Sequence, residues 1–213
     1  MKIYKIPQNL KTIIFDIDST LYTNDRYAFE QVDVQLRHFA EIKGVTASEI
    51  RKMIEDFRTN YSKEHDGKKI SLGNTLTHFG ISIEESIKWR ETLLEPKDFL
   101  DRDEKLIQVL TDFSKKYRMI AVTNNPVLPA FKTLQAIGIE KLVPDIIGLD
   151  TCHKSKPNRQ VLQLACEKTD AKPEECLSIG DRYDIDLSLA LEMGMGGVLV
   201  TGVEDVYKLA EFI

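Results

Sequence analysis

Five short apolar runs, each ending in polar or acidic residues, constrain this chain more than any other feature. They are KTIIFDID (11–18), YRMIAVTNN (117–125), DIIGLD (145–150), CLSIGD (176–181) and GGVLVTG (196–202). Runs of this length that are rich in Ile and Val are typical of strands buried on both faces of a parallel sheet. Helical periodicity between them predicts a doubly wound α/β sheet with right-handed crossovers. The predicted helices cover 101–116, 128–137, 157–169, 184–193 and 204–211, with starts at Asp101 and Pro157.

A long segment without strand pattern interrupts this alternation after the first run. Its helical patterns cover 25–43, 46–65, 74–79 and 82–95. Thr46 followed by Glu49 is the pattern of a capping box, which marks the start of the second of these helices. The sequence therefore predicts an all-helical domain over residues 22–98, inserted into a core made of residues 1–21 and 99–213.

The composition excludes several classes of protein. With 34 acidic and 29 basic residues, the net charge is −5, which is opposite to the bias of a general nucleic-acid binder. No run approaches about 18 apolar residues, so no membrane span is predicted, and the N-terminus lacks the apolar core of a signal peptide. Three cysteines without CxxC spacing are typical of reduced thiols. We expect a cytoplasmic protein without nucleic-acid or membrane partners, and the sequence identifies no protein partner.

Carboxylates gather at the ends of two predicted strands. Asp16 and Asp18 occupy alternate positions, which point to one side of a strand, and Asp184 and Asp186 follow the run that ends at Asp181. The carboxyl ends of parallel strands form the ligand-binding edge of such sheets, so these groups should converge. Two unit charges about 4 Å apart repel by roughly 4 kcal/mol at an effective dielectric of 20. The cluster therefore needs a hard cation, and oxygen ligands beside a phosphate favour Mg²⁺.

Groups suited to a phosphate follow the other predicted strands. Thr123 and Asn124 end the second run before a proline turn, which presents a hydroxyl group and backbone amides. Lys156, followed by Pro157, places one cation at the expected start of a helix. Singly, each of these residues has an ordinary alternative as a strand-end hydroxyl, a helix cap or a solvated charge. Together with the carboxylates they predict a site for a phosphorylated ligand.

Four segments resemble the motifs of the haloacid dehalogenase superfamily, in order and in spacing. They are DIDST (16–20), TN (123–124), KP (156–157) and GDRYDID (180–186). The insertion after the first motif resembles the helical cap of the subgroup that includes phosphoglycolate phosphatases and β-phosphoglucomutase. The FDIDSTLY opening is most similar to pyrimidine 5′-nucleotidase-like members. The resemblance implies a Rossmann-like core that carries the active site and a smaller helical cap domain.

The resemblance also implies a role for each matched residue. Asp16 would be the nucleophile that takes the phosphoryl group as an aspartyl-phosphate, and Asp18 would protonate the leaving oxygen and then activate water. The phosphate would be held by Thr123, Asn124 and Lys156, and Lys156 would also orient Asp16. Mg²⁺ would be held by Asp16, the backbone carbonyl of Asp18 and Asp181, and Asp186 would complete the metal site by binding metal-bound water. Asp184 stays open as an alternative to Asp186.

These roles favour an Mg²⁺-dependent phosphatase for a small phosphomonoester such as a nucleoside monophosphate. A dehalogenase of the superfamily is expected to lack an acid at the position of Asp18. A phosphomutase of the β-phosphoglucomutase type would use the same aspartates but keep water from the aspartyl-phosphate. A receiver-type signalling module lacks a large insertion after its first strand, and a non-catalytic protein would not need every catalytic position filled.

A cap would admit only small phosphorylated metabolites. The candidates for substrate specificity near the hinges and in the helices of the cap are Tyr22, Asn24, Arg26, Tyr27, Arg58 and Tyr61.

Overall fold

The computed structural model describes residues 1–68 and 70–213 and divides the chain into two compact units. One unit contains Met1–Asp25 and Glu95–Ile213, and the other contains Arg26–Leu94. The sequence predicts these boundaries at residues 22 and 98. Within the described ranges, no helix has both the length and the apolar character needed to cross a membrane.

The first unit is built around a six-stranded sheet with the strand order β1-β6-β5-β2-β3-β4. Its strands are β1 (Lys2–Lys5), β2 (Thr12–Phe15), β3 (Arg118–Val122), β4 (Asp145–Ile147), β5 (Cys176–Gly180) and β6 (Gly196–Leu199). Strands β2 to β6 are parallel, which confirms the predicted sheet. Phe15 lies beside Ala121 of β3 and Ile179 of β5. The residues that follow β2, β3 and β5 therefore meet at one edge of the sheet.

Helices surround this sheet in the alternating order that the apolar runs predict. They are α5 (Glu104–Ser114), α6 (Val127–Ile137), α7 (Leu149–Cys152), α8 (Arg159–Lys168), α9 (Ser188–Glu192) and α10 (Val203–Val206). All four residues of β2 and all five of β5 are buried, as expected for central strands covered on both faces. One core cluster joins Ile14, Ile120 and Val122 of the sheet to Val161, Leu162 and Ala165 of α8 and to Ala190 of α9. Burial of each large apolar side chain contributes about 1.5–3 kcal/mol, so this cluster stabilises the packing of the helices on the sheet.

Strand β1 was not predicted. Its sequence, KIYK, places Ile3 and Tyr4 side by side between two lysines and so shows no hydrophobic alternation, and all four residues are exposed. It pairs antiparallel with β6, with Lys2 opposite Leu199, and backbone hydrogen bonds hold it at the sheet edge. Backbone pairing of this kind leaves no pattern in the side chains, which explains why the prediction is incomplete here.

Two predicted helix starts are wrong. Helix α5 begins after Asp103 rather than at Asp101, because the Asp103 side chain accepts the N–H of Leu106 at 2.9 Å and caps the helix. Helix α8 begins after Asn158, whose side chain accepts the N–H of Gln160. Pro157 therefore precedes the helix, and the Lys156–Pro157 peptide bond is cis.

The predicted helix over 184–193 contains two different elements. It opens with a π-helical turn at Tyr183–Leu187 and continues as α9. The predicted helix over 204–211 is likewise divided into α10 and a 3₁₀ turn at Leu209–Glu211. Turns of this kind are rare and occur frequently at functional sites.

The second unit is all-helical within its described residues. Its helices are α1 (Asp25–Lys43, which starts one residue inside the first unit), α2 (Ala47–Glu64), α3 (Leu72–His78) and α4 (Ile83–Leu93). Thr46 and Glu49 form the predicted capping box, with the Thr46 N–H donating to Glu49 Oε2 at 2.8 Å. The core of this unit contains Leu36, Phe39, Ile50, Ile54, Leu76 and Trp89.

Candidate active site

Three aspartates converge at the carboxyl ends of the parallel strands. Asp16 directly follows β2, Asp181 directly follows β5, and Asp186 lies in the π-helical turn. Each offers one carboxylate oxygen, and these oxygens lie within 4.8 Å of one another. Asp16 and Asp186 are buried, and Asp181 is half-buried. The structure therefore brings together the side chains of three of the four residues that the sequence assigns to a metal; the fourth, Asp18, is assigned through its backbone carbonyl.

The position of Asp186 depends on its immediate neighbours. A Cβ atom at Gly180 would lie 2.4 Å from Cβ of Asp186, so glycine is required for this close approach. The Arg182 N–H donates to Asp186 Oδ2 at 3.0 Å, and the Ser178 hydroxyl donates to the Asp186 carbonyl at 2.8 Å. Asp184 is exposed on the same turn and lies outside the three-aspartate group. Of the two alternatives, it is Asp186 that lies at the site.

Lys156 is a buried cation among these carboxylates. Its ammonium lies 2.5 Å from Asp16 Oδ1, 2.7 Å from Asp186 Oδ1 and 2.7 Å from the carbonyl oxygen of Val122. Asn124 holds the backbone of the lysine, because its side-chain oxygen accepts the Lys156 N–H at 2.7 Å. The Asn124 side chain, which the resemblance assigns to phosphate, thus also supports the loop that carries Lys156.

Thr123 lies at the edge of the sheet, directly after β3. It is buried, and its N–H donates to the carbonyl oxygen of Ile147 at 2.9 Å. Its hydroxyl oxygen accepts the N–H of Asn125 at 3.1 Å. A hydroxyl that accepts in this way still carries a proton to donate, which suits it to an oxygen of a phosphoryl group.

Asp18 is held by two side chains. The Tyr22 hydroxyl donates to Asp18 Oδ1 at 2.6 Å, and the Asn125 amide donates to Asp18 Oδ2 at 2.8 Å. Asp18 is half-buried, and the next residue, Ser19, has a positive φ of 56°, a left-handed conformation that turns the chain sharply after β2. The carboxylate therefore has a defined orientation next to the three-aspartate group.

Burial controls the protonation of this cluster. It raises the pKa of Asp16 to about 7, against the opposing effect of Lys156 and with further contributions from the charges of Asp186 and Asp18. Burial also raises the pKa of Asp181. For Lys156, burial alone would lower the pKa, but the carboxylates of Asp16 and Asp186 outweigh it and raise the pKa. One lysine does not fully neutralise the cluster.

The residues present fit a hard divalent cation. Oδ1 of Asp181 is buried without a hydrogen-bond partner, and Nε of Arg182 lies 3.6 Å away. Oδ1 of Asp186 is paired only with the Lys156 ammonium at 2.7 Å, which it shares with Asp16. Buried carboxylate oxygens without donors are costly, and carboxylate and carbonyl oxygens are the ligands that Mg²⁺ prefers. The chemistry of this donor set therefore matches Mg²⁺.

Two residues make contacts at this site that the sequence does not predict. Tyr22 is a specificity candidate by sequence, and in the structure its hydroxyl contacts Asp18. Asn125 received no role, because two adjacent asparagines give no signal of which side chain turns towards Asp18. Of the other specificity candidates, Asn24 donates to the carbonyl of Phe99 at 2.7 Å, and Arg58 donates to the carbonyl of Ile70 at 3.0 Å. Tyr61 stacks on His65 with ring centroids 3.9 Å apart.

Comparison with known proteins places these features in a family. The model of the haloacid dehalogenase-like hydrolases matches residues 10–194 of the chain. A glyceraldehyde 3-phosphate phosphatase from Methanothermobacter thermautotrophicus is 25% identical over 200 residues, which cover 90% of this chain and 85% of that protein. The pyrophosphatase PpaX from Listeria monocytogenes is 23% identical over 208 residues, covering 95% of this chain and 89% of that protein.

A solved structure supports the same fold. The crystal structure of a HAD phosphatase from Thermococcus onnurineus matches with a TM-score of 0.63 and 19% sequence identity. The match covers 90% of this chain and 86% of that one. At this level of identity the likeness bears on the fold alone.

Proposed function

The chain belongs to the haloacid dehalogenase-like hydrolase family, and we propose that it is an Mg²⁺-dependent phosphatase that hydrolyses a small phosphomonoester through an aspartyl-phosphate. It is an enzyme, a phosphoric monoester hydrolase, in keeping with relatives that are named as phosphatases. The observation that carries the proposal is the buried contact of 2.5 Å between Asp16 and Lys156, beside two further aspartates. A nucleophilic carboxylate, a buried cation and a divalent-metal donor set are the groups that phosphoryl transfer requires.

The first step transfers the phosphoryl group to the protein. An oxygen of Asp16 attacks phosphorus, and the bond from phosphorus to the leaving oxygen breaks. Asp18 gives its proton to that oxygen, so the leaving group departs as a neutral alcohol. Thr123 and Lys156 donate hydrogen bonds to the phosphoryl oxygens and offset their charge.

The second step regenerates Asp16. Asp18, now ionised, accepts a proton from water while the water oxygen attacks phosphorus, and the bond between phosphorus and the Asp16 oxygen breaks. Inorganic phosphate is released. Asp16, Asp181, Asp186 and the carbonyl of Asp18 would hold Mg²⁺, which when bound neutralises phosphoryl charge and favours the ionised form of Asp16.

The substrate we propose is a small phosphorylated metabolite. The likeness of FDIDSTLY to pyrimidine 5′-nucleotidases makes nucleoside monophosphates the first compounds to test. The names of the relatives add glyceraldehyde 3-phosphate and pyrophosphate to the panel. The resemblance of the insertion to the helical cap of the phosphoglycolate phosphatase subgroup adds phosphoglycolate.

The test is release of inorganic phosphate from this panel with Mg²⁺ and with a chelator. We expect turnover of at least one phosphomonoester that depends on Mg²⁺. Absence of turnover on every compound would overturn the proposal. Equal turnover with Mg²⁺ and with the chelator would show that the activity does not depend on Mg²⁺. Release that requires a bisphosphate activator would instead indicate a phosphomutase.

We propose the cytoplasm as the location of the enzyme. The three cysteines are free thiols, including Cys166 and Cys176, whose sulfur atoms lie 3.7 Å apart in the core. Close thiols persist in this form in a reducing compartment. A Cys166–Cys176 disulfide in protein isolated from its own cells under thiol-trapping conditions would contradict this location.

A further inference from the structure

We infer that Tyr22 and Asn125 are positioning residues that fix the carboxylate of Asp18 for proton transfer to and from the leaving oxygen. The inference rests on the proposed function, in which Asp18 is the general acid and base. It adds a specific claim: the efficiency of this proton transfer depends on two side chains that themselves neither attack phosphorus nor hold the metal.

The first observation is that each oxygen of Asp18 has its own donor. The Tyr22 hydroxyl lies 2.6 Å from Oδ1, and Nδ2 of Asn125 lies 2.8 Å from Oδ2. A carboxylate with one bound oxygen can still rotate about its terminal torsion, which has a broad energy profile. Hydrogen bonds to both oxygens fix the plane of the carboxylate as well as its position.

The second observation is that the two donors come from separate, anchored parts of the sheet edge. Tyr22 is four residues after Asp18, just beyond the turn that follows β2, and Asn125 is 107 residues away, after β3. Tyr22 is only 5% exposed, and a buried tyrosine hydroxyl needs a partner. Its bond to Asp18 meets that need.

The backbone of Asn125 is itself held on both sides. Its N–H donates to the Thr123 hydroxyl at 3.1 Å, and its carbonyl oxygen accepts the N–H of Leu149 at 2.9 Å. A Cβ atom at Gly148 would lie 2.7 Å from that carbonyl oxygen, so the neighbouring loop packs directly against it. The backbone that carries the Asn125 amide is therefore held in place.

Rigid positioning affects one part of the reaction most. Proton transfer needs heavy atoms about 2.6–3.2 Å apart, and a misplacement of about 1 Å reduces rate by about 100-fold. The need for a proton rises as the leaving group becomes a poorer one. Loss of the Tyr22 or Asn125 donor should therefore slow substrates with basic leaving groups more than substrates with acidic ones.

The experiment measures kcat and KM for a series of substituted phenyl phosphates, from p-nitrophenyl phosphate to phenyl phosphate, with Mg²⁺. The variants are Tyr22→Phe, Asn125→Ala and both together, each also in an Asp18→Ala background. We expect Tyr22→Phe to lower kcat for phenyl phosphate by about 10- to 100-fold with little change in KM. The loss for p-nitrophenyl phosphate should be much smaller, and Tyr22→Phe should have no further effect once Asp18 is absent.

Tyr207→Phe is the matched control. The Tyr207 hydroxyl also donates to a carboxylate, that of Asp103, and neither residue belongs to the three-aspartate group. We expect this variant to lower the Tm and to leave the dependence on leaving group unchanged.

The outcomes separate the inference from the function on which it rests. If the unaltered protein releases no phosphate from any phosphomonoester, the proposed function fails. Two results would leave the proposed function standing and show that the positioning role is wrong. In one, Tyr22→Phe and Asn125→Ala slow all substrates equally; in the other, they lower kcat as much in the Asp18→Ala background as in the unaltered protein.

Discussion

The ammonium of Lys156 lies 2.5 Å from Oδ1 of Asp16, and both side chains are almost completely buried. One residue follows β2 and the other precedes α8, so the pair joins two distant parts of the chain. Because Asp186 shares the same ammonium at 2.7 Å, the lysine partly neutralises two carboxylates. One ammonium therefore leaves the three-aspartate group with an excess of negative charge.

Lys156→Ala should reduce activity by about 100-fold or more, whereas Lys154→Ala should have little effect. Removal of one partner of a buried charge pair leaves the other uncompensated, and loss of a charge that stabilises the transition state is costly. Lys154 is exposed and provides the control. Phosphate release by the two variants measures the difference, and equal losses would show that the assignment of the lysine is wrong.

Asp16→Asn should abolish turnover and raise the Tm of the protein in a chelator at pH 8. The amide cannot act as the nucleophile. It also removes one charge from a cluster that a single lysine neutralises incompletely, which we expect to be worth on the order of 1 kcal/mol after screening. Thermal unfolding in EDTA tests the stability half of the prediction, and a lower Tm for the variant would contradict it.

The stability gain of Asp16→Asn should depend on pH. Since burial raises the pKa of Asp16 to about 7, from about 4 in the unfolded chain, the folded state binds this proton more tightly. The contribution of this bound proton to the free energy of unfolding is therefore complete below about pH 4 and is lost as the pH rises through about 7. In EDTA the difference in Tm between variant and unaltered protein should grow over this range, and a constant difference would be inconsistent with it.

Mg²⁺ should reduce or reverse that difference. A ligand that binds only the folded state stabilises it by RT ln(1 + [L]/Kd), and the unaltered protein has one more carboxylate for the cation. A Mg²⁺ titration followed by thermal unfolding should raise the Tm of the unaltered protein more than that of Asp16→Asn. Identical responses would mean that Asp16 is not a ligand.

Gly180→Ala should weaken both the fold and the site. Its Cβ atom would lie 2.4 Å from Cβ of Asp186, so that side chain must move. We expect a loss of about 1–3 kcal/mol of stability from overpacking, with weaker stabilisation by Mg²⁺. Gly73→Ala in α3 is the control, because its Cβ would make only an ordinary contact of 3.4 Å with Ile83. Equal stability and Mg²⁺ response for both variants would contradict this reading of Gly180.

Asp33→Asn should destabilise the helical unit near pH 7, because it removes the charge that two guanidinium groups bind. We expect a loss of only about 1–2 kcal/mol, since both arginine partners are partly exposed to solvent. Asp33 accepts hydrogen bonds from Arg51 at 2.7 and 3.0 Å and from Arg37. These bonds, those of Arg51 first, lower the pKa of Asp33. The stabilisation is therefore present above about pH 4 and is lost as the pH falls through the lowered value. Asp56→Asn, at an exposed position of α2, is the control.

Urea unfolding of both variants at several pH values measures this effect. The deficit of Asp33→Asn should shrink in acid, and Asp56→Asn should stay close to the unaltered protein. If the loss of unfolding free energy in Asp33→Asn stays constant at all acidic pH values tested, the loss is due to packing and not to charge.

Local pattern in the sequence determined most of the fold and the family. Strands β2 to β6 coincide with apolar runs typical of a parallel sheet. The four motifs indicate the haloacid dehalogenase-like hydrolases, which the family match confirms. The capping box at Thr46 is likewise a local code, because a side chain and a backbone amide three residues apart suffice to form it.

Tertiary structure alone decided how the site is assembled. The choice of Asp186 over Asp184 depends on a π-helical turn and on the missing side chain of Gly180. The contact between Asn125 and Asp18 spans 107 residues and follows from the register of β2 beside β3. Periodicity records which face of an element is buried, whereas such contacts depend on how separate elements align. Such contacts join residues that are far apart in the chain, so the pattern of either segment by itself does not identify the partner.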